Sequence, residues 1–196
     1  MRKKLFFASI LTSFFVVNSC QLNEALKPNI VWLVLEDQSQ YFFPFYGDST
    51  LELKNINQLL DNGIVYEGMN SPYPVCAPSR SAIITGMYPN SIGTGNQRAY
   101  SYYRAEREEH EKQLGFPFYS SKFAEQIKPF TQILRENGYY TSNNSKEDYN
   151  FKLTKEAWDD SSINASWENR DGSEPFFSVF NFGITHESQI WLRDEQ

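Results

Sequence analysis

The sequence predicts an α/β fold of stacked layers with a mainly parallel central sheet. Residues 30–35 (Ile-Val-Trp-Leu-Val-Leu) and 175–182 (Pro-Phe-Phe-Ser-Val-Phe-Asn-Phe) are nearly unbroken apolar runs, the pattern of strands covered on both faces. Segments of helical spacing that end in glycine lie between them, and such alternation of strand and helix goes with a parallel sheet. No internal repeat is present.

The elements follow in order. The apolar run at 30–35 reads as a central strand, and the polar residues Glu36, Asp37, Gln38 and Ser39 come directly after it. In open α/β sheets functional groups collect just beyond the carboxyl ends of strands. Leu53, Ile56, Leu59 and Leu60 share one face of a helix over 53–62, with Gly63 at its end. Residues 64–66 read as a short strand. A second helix is expected over about 79–87 and a third over 129–137, the latter closed by Gly138 and followed by a strand at 139–142. The run at 175–182 ends in Gly183, Ile184, Thr185, His186, Glu187 and Ser188, polar residues again following a strand. Residues 99–122 are rich in Tyr, Arg and Glu, and read either as a solvated charged excursion or as a loop lining a cleft.

A chain of 196 residues suits one domain or a little more. Aromatic residues make up 16% of it, which excludes a disordered chain, and the formal charge of -6 argues against a nucleic-acid partner. The first residues form an address. Arg2, Lys3 and Lys4 precede the apolar stretch 5–17, too short for a membrane span and arranged like a secretory signal. The stretch ends in Val17-Asn18-Ser19-Cys20, which resembles a bacterial lipoprotein signal in which Cys20 is lipidated and becomes the new terminus. Residues 1–19 are thus read as the signal, 20–28 as a linker and 29–196 as the body. The expected location is the bacterial cell envelope, anchored by lipid at the outer membrane or held in the periplasm. Cleavage would remove three positive charges and take the net charge from -6 to -9. With Cys20 so used, Cys76 has no disulfide partner and needs a chemical explanation of its own.

Cys76 opens the stretch Cys76-Ala77-Pro78-Ser79-Arg80-Ser81-Ala82-Ile83-Ile84-Thr85-Gly86, at or just before a helix N-terminus, where an anion is favoured. Arg80 would lie one turn along. This segment resembles the signature of the formylglycine-dependent sulfatases, Cys-x-Pro-Ser-Arg followed by Thr-Gly. The resemblance covers about residues 27–196 and implies an alkaline-phosphatase-like layered fold, incomplete in this chain. It also implies that a sulfatase-maturation enzyme converts Cys76 to formylglycine, whose hydrate attacks sulfur.

Other segments fall in that family's order. Glu36 and Asp37 resemble the first metal-binding pair, implying with residue 76 a site for Ca²⁺, or for Mg²⁺, hard ions that take oxygen donors. Glu36 stands where the family more often has Asp. Gly47 and Asp48 are familiar too, although a turn accounts for Asp48 equally well. Lys146, after the strand at 139–142, resembles the family's sulfate-binding lysine, without the histidine that often follows it. His186 resembles the later histidine that contacts sulfate or assists the leaving group; His110 has no such context. The implied catalytic set is Cys76, Arg80, Lys146 and His186, with a sulfated carbohydrate as substrate.

Family chains continue beyond this length with a second acidic metal motif, and no such motif follows His186 here. The chain is therefore expected to be the amino-terminal part of a catalytic domain, inactive when isolated. Two other readings remain open on the sequence. One is a phosphodiesterase or phosphonate monoester hydrolase of the same superfamily; the other is a non-catalytic surface lipoprotein that binds a sulfated glycan.

Overall fold

A computed structural model describes residues 26–97, 104–117, 121–122 and 126–191. The signal at 1–19 and Cys20 lie outside them. Four strands form one parallel sheet: β1 (Ile30–Leu35), β2 (Tyr140–Asn144), β3 (Asp160–Ser161) and β4 (Phe176–Phe182), in the order β1-β4-β2-β3. β1 pairs with β4 from Ile30 opposite Phe177 to Leu35 opposite Phe182, and β2 pairs with β4 from Tyr140 opposite Phe176 to Asn144 opposite Phe180. The helices are α1 (Lys54–Asn62), α2 (Cys76–Thr85), α3 (Arg104–Leu114) and α4 (Phe130–Glu136).

β4 is the buried centre of this sheet. Its side chains alternate, so Phe177 and Val179 face α2 and α4 while Phe176 and Phe180 face the other way, against Trp167. Phe177, 1% exposed, packs edge-on against Trp32 and Phe130 at centroid distances of 4.9 and 5.2 Å and lies parallel to Trp158 at 6.2 Å. Such offset and edge-to-face pairs are the preferred aromatic geometries.

β2 matches the strand expected at 139–142, whereas β3 was not expected; what the sequence does not show for β2 is its burial. Its Thr141, Ser142 and Asn143 are almost wholly buried although all are polar. Each finds partners. Ser142 shares a hydroxyl hydrogen bond with Ser178 at 2.5 Å, Asn143 donates to Ser161 and accepts from Asn181, and the Thr141 N–H donates to Asp159 at 2.8 Å. Burial without such pairing would cost about 1–3 kcal/mol per group. Asp159 also takes a two-pronged contact from Arg135 at 2.8 and 2.7 Å, which ties α4 to the end of β2.

Several expectations are corrected. β1 lies at an edge of the described sheet, not its centre; Ile30 and Val34 pack against the core on one face, while Val31, Leu33 and Leu35 are exposed on the other. Residues 64–66 form no strand; Ile64 and Tyr66 are exposed, and no described strand neighbours them. The second helix starts at Cys76, three residues before the expected position, because Pro78 sits in the first turn, where a missing N–H costs nothing. The charged stretch holds α3, with Glu109 and His110 exposed. Gly138 has the left-handed φ of 81° expected of a helix end. Gly63 does not; its need for glycine is spatial, since a Cβ there would stand 2.8 Å from the Leu59 carbonyl oxygen.

Replacing Phe177 with Ala removes the ring at the centre of this packing, and is expected to cost about 3–5 kcal/mol of stability, measured by urea unfolding. Ile133→Ala, on the exposed side of α4, should cost less than about 1 kcal/mol.

Candidate active site

Three turns meet beyond the carboxyl ends of β1, β4 and β2, because the strands run parallel and are hydrogen-bonded neighbours. The turn after β1 supplies Glu36 and Asp37. The one after β2 supplies Ser145 through Asp148, and the one after β4 carries His186 and Glu187 within short 3₁₀ turns. Glu36, Ser145, Lys146, Asn181, Gly183, His186, Ser188 and Gln189 line an open cavity of about 380 Å³.

Lys146 crosses the cavity floor to Glu36. Its Nζ stands 2.5 Å from Glu36 Oε2 and 4.0 Å from Asp148 Oδ2, and all three side chains are largely buried. Asp37 has a left-handed backbone, φ 55°, which an Asp tolerates better than most residues. This turn sends its carboxylate two ways. Oδ2 accepts the Glu187 N–H at 3.0 Å and lies 3.8 Å from His186 Nε2; Oδ1 lies 4.0 Å from Cys76 Sγ. Asp37 thereby touches all three of α2, its own turn and the turn after β4.

Two groups of Ser188 meet His186 Nδ1, the N–H at 3.2 Å and the hydroxyl oxygen at 2.9 Å, while Nε2 faces Asp37 at 3.8 Å. Cys76 occupies the first turn of α2, whose N–H dipoles favour a negative group. Arg80, one turn on, spends its donors on the main chain: its Nε donates to the Glu147 carbonyl at 3.0 Å and an Nη to the Lys146 carbonyl. The guanidinium lies 5.9 Å from the centre of the Tyr149 ring. Burial pushes the Tyr149 phenol up to about 12, with Arg80 opposing the shift.

The structure thus brings Asp37 beside Cys76 and His186, and Lys146 beside Glu36. It does not gather Glu36, Asp37 and Cys76 round one point, and no three His, Cys, Asp or Glu among the described residues form a group able to hold a metal. The physical reason is the ammonium of Lys146, which occupies the accessible side of Glu36. In type, the donors fit a hard divalent ion, being carboxylate oxygens with the buried, unpartnered Asn181 Oδ1 in the same cavity wall. In number they fall short of the six to eight oxygens that Ca²⁺ takes.

Asp148, Asn181, Ser188 and Gln189 are members of this cluster that sequence reasoning missed. Asn181 left one trace: with Ser178 it is one of two polar residues in a strand of otherwise apolar ones. His110 is remote in sequence and has no part in the cavity.

Asp37→Ala removes the acceptor that pins the turn after β4. The Glu187 amide is expected to exchange with solvent about tenfold faster or more, by NMR, while the Val179 amide in β4 keeps its protection.

Residues 28–192 match the family model for Sulfatase. The chain is 44% identical over 165 residues to an ulvan-active sulfatase of Formosa agariphila, an alignment covering 84% of this chain and 26% of that protein. It is 29% identical over 117 residues to human arylsulfatase D, covering 60% of this chain and 18% of the relative. Among solved structures, BT4656 in complex with its substrate D-glucosamine-2-N,6-O-disulfate superposes with a TM-score of 0.59 at 16% identity, over 82% of this chain and 35% of that one, and shares the fold. The chain spans about a quarter of the length of the first of these relatives. The parallel sheet with its turns gathered at one edge, and the family match along most of the chain, place this protein in the sulfatase family.

Proposed function

We propose that this chain carries the nucleophile side of a hydrolase that cleaves sulfate esters of a carbohydrate, and that its site residues are Cys76, Asp37, Lys146 and His186. The observation that carries the reading is the meeting of Cys76, Asp37 and His186 through Asp37, with His186 lining the same cavity as Lys146. Relatives named for ulvan and for N-acetylgalactosamine 6-sulfate support a sulfated polysaccharide or glycan as substrate.

Conversion of Cys76 to formylglycine by a maturation enzyme would supply the attacking hydroxyl, and a divalent cation held by Glu36, Asp37 and further oxygen donors would polarise a sulfate oxygen. The chain's own groups do the rest. Lys146 holds the sulfate charge. In its doubly protonated form, with Nδ1–H donating to Ser188 Oγ at 2.9 Å, His186 gives the Nε2 proton to the departing sugar oxygen as the S–O bond breaks and is left as the neutral imidazole. Arg80 acts on the backbone: by binding the carbonyls of Lys146 and Glu147 it holds the lysine turn at a set distance from the helix that carries Cys76.

Residues 1–19 are assigned to export and Cys20 to lipid anchoring at the cell envelope. Cys20→Ala is expected to move the protein from the membrane fraction to the soluble fraction of expressing cells; a soluble product before and after the change defeats the anchor.

Expression with a maturation enzyme should yield a peptide around Cys76 lighter by about 18 Da, the change from thiol to aldehyde. Joined to the remaining length of the ulvan-active relative, the chain is expected to release sulfate from sulfated oligosaccharides, and Cys76→Ala to lower the rate by about a thousandfold or more. Faster cleavage of a matched phosphate ester would favour the phosphodiesterase reading instead.

A further inference from the structure

We infer that a water molecule is held between α2 and the sheet, hydrogen-bonded to the Trp158 indole N–H and to Asn181 Oδ1. This site lies behind the cavity that holds Lys146 and His186, and is independent of the reaction assigned there.

The space is sufficient. Residues of α2, α4 and the sheet line a second cavity of about 60 Å³, and one water needs only about 10–15 Å³. Ile83 and Ile84 of α2, Phe130 of α4, and Val34 and Val179 of the sheet supply its apolar wall. A wholly apolar gap of this kind stays dry. This one is not wholly apolar, because Trp158, Asn181 and Tyr149 line it too.

The polar groups are complementary. Trp158 is 7% exposed and lies parallel to Phe177 at 6.2 Å, which shuts its N–H off from solvent. That N–H lies near the Tyr149 phenol, whose ionised form it favours, without completing a hydrogen bond. It is a donor in need of an acceptor. Asn181 has the opposite need. Its Nδ2 donates to Asn143 Oδ1 at 3.0 Å and to the Asn144 carbonyl at 3.1 Å. A main-chain carbonyl can only accept, so the amide cannot be turned round, and Oδ1 stays buried with no partner among the described residues. A water satisfies both at once, accepting from Trp158 and giving one proton to Asn181; the Tyr149 hydroxyl oxygen, on the same cavity, is open to its second proton. Asn181 also lines the outer cavity with Lys146 and Glu36. The water therefore braces that amide from behind and ties it to a tryptophan of the core.

The test is NMR of the full chain labelled on its tryptophan nitrogens. The Trp158 indole proton, assigned by its loss in Trp158→Phe, is expected to show a cross-peak at the water frequency, with the sign of a water that tumbles with the protein. Tyr149→Phe should keep that peak, which rules out relay through the exchanging phenol proton. Val179→Ile pushes a methyl group into the cavity. It should remove the peak and lower the unfolding midpoint by about 2–4 °C, because two buried polar groups lose their partner. Absence of the peak in the wild type, its loss in a folded Tyr149→Phe, or a raised midpoint for Val179→Ile, the response of a dry gap on being filled, each overturns the inference. Where a variant fails to fold, crystals of the wild type decide: a water within hydrogen-bond distance of Trp158 Nε1 and Asn181 Oδ1 upholds the site, and clear density without one overturns it.

Discussion

Parallel pairing on both sides of β4 is the constraint from which the site follows. β1 and β2 are separated by more than a hundred residues, yet both run with β4, so the turns that leave all three emerge at one edge. Alternation along a strand makes the register equally important: a slip of one residue would turn Asn181 and Glu36 to the opposite face. Apolar contacts tolerate such slips better than polar ones. The serine pair Ser142 and Ser178 and the asparagine pair Asn143 and Asn181 meet only in the observed register, which gives the buried polarity of β2 a structural purpose.

Electrostatics then shapes what the edge can do. Carboxylates collect there from the β1 and β2 turns, and the fold answers with two cations, Lys146 on Glu36 and Arg80 on the carbonyls of the β2 turn. Arg80 would be an ordinary anion ligand on spacing alone. Its planar fork instead faces two carbonyl oxygens, a use that rigid bidentate donors serve well. The anion-facing positive charge at this edge is thereby left to Lys146 and to the first turn of α2.

The α/β alternation and the positions of Glu36, Asp37, Lys146 and His186 were legible because each follows a strand whose apolar or β-branched pattern is strong. β1 was misplaced for a simple reason. Periodicity reports how apolar a strand is, and a strand with one described neighbour reads the same as a strand with two. The burial of β2 beyond Thr141 was illegible, since Ser-Asn-Asn reads as a turn unless the partners that satisfy it are known. Asn181, Ser188 and Gln189 join the cavity through contacts formed only after folding. Neighbours in sequence, Glu36 and Asp37 face different partners here, Lys146 for one and the Glu187 N–H for the other, a divergence that adjacency alone does not reveal.

The open border of β1 has a consequence of its own. Val31, Leu33 and Leu35 lie exposed along a six-residue strand paired on one side only among the described residues. A flat apolar rim with unsatisfied main-chain donors and acceptors is a template for another strand, whether from a second molecule or from additional polypeptide. No charged residue interrupts it between Ile30 and Leu35. The same parallel geometry that assembles the site thus leaves, among the described residues, an apolar border at the far side of the sheet from β3.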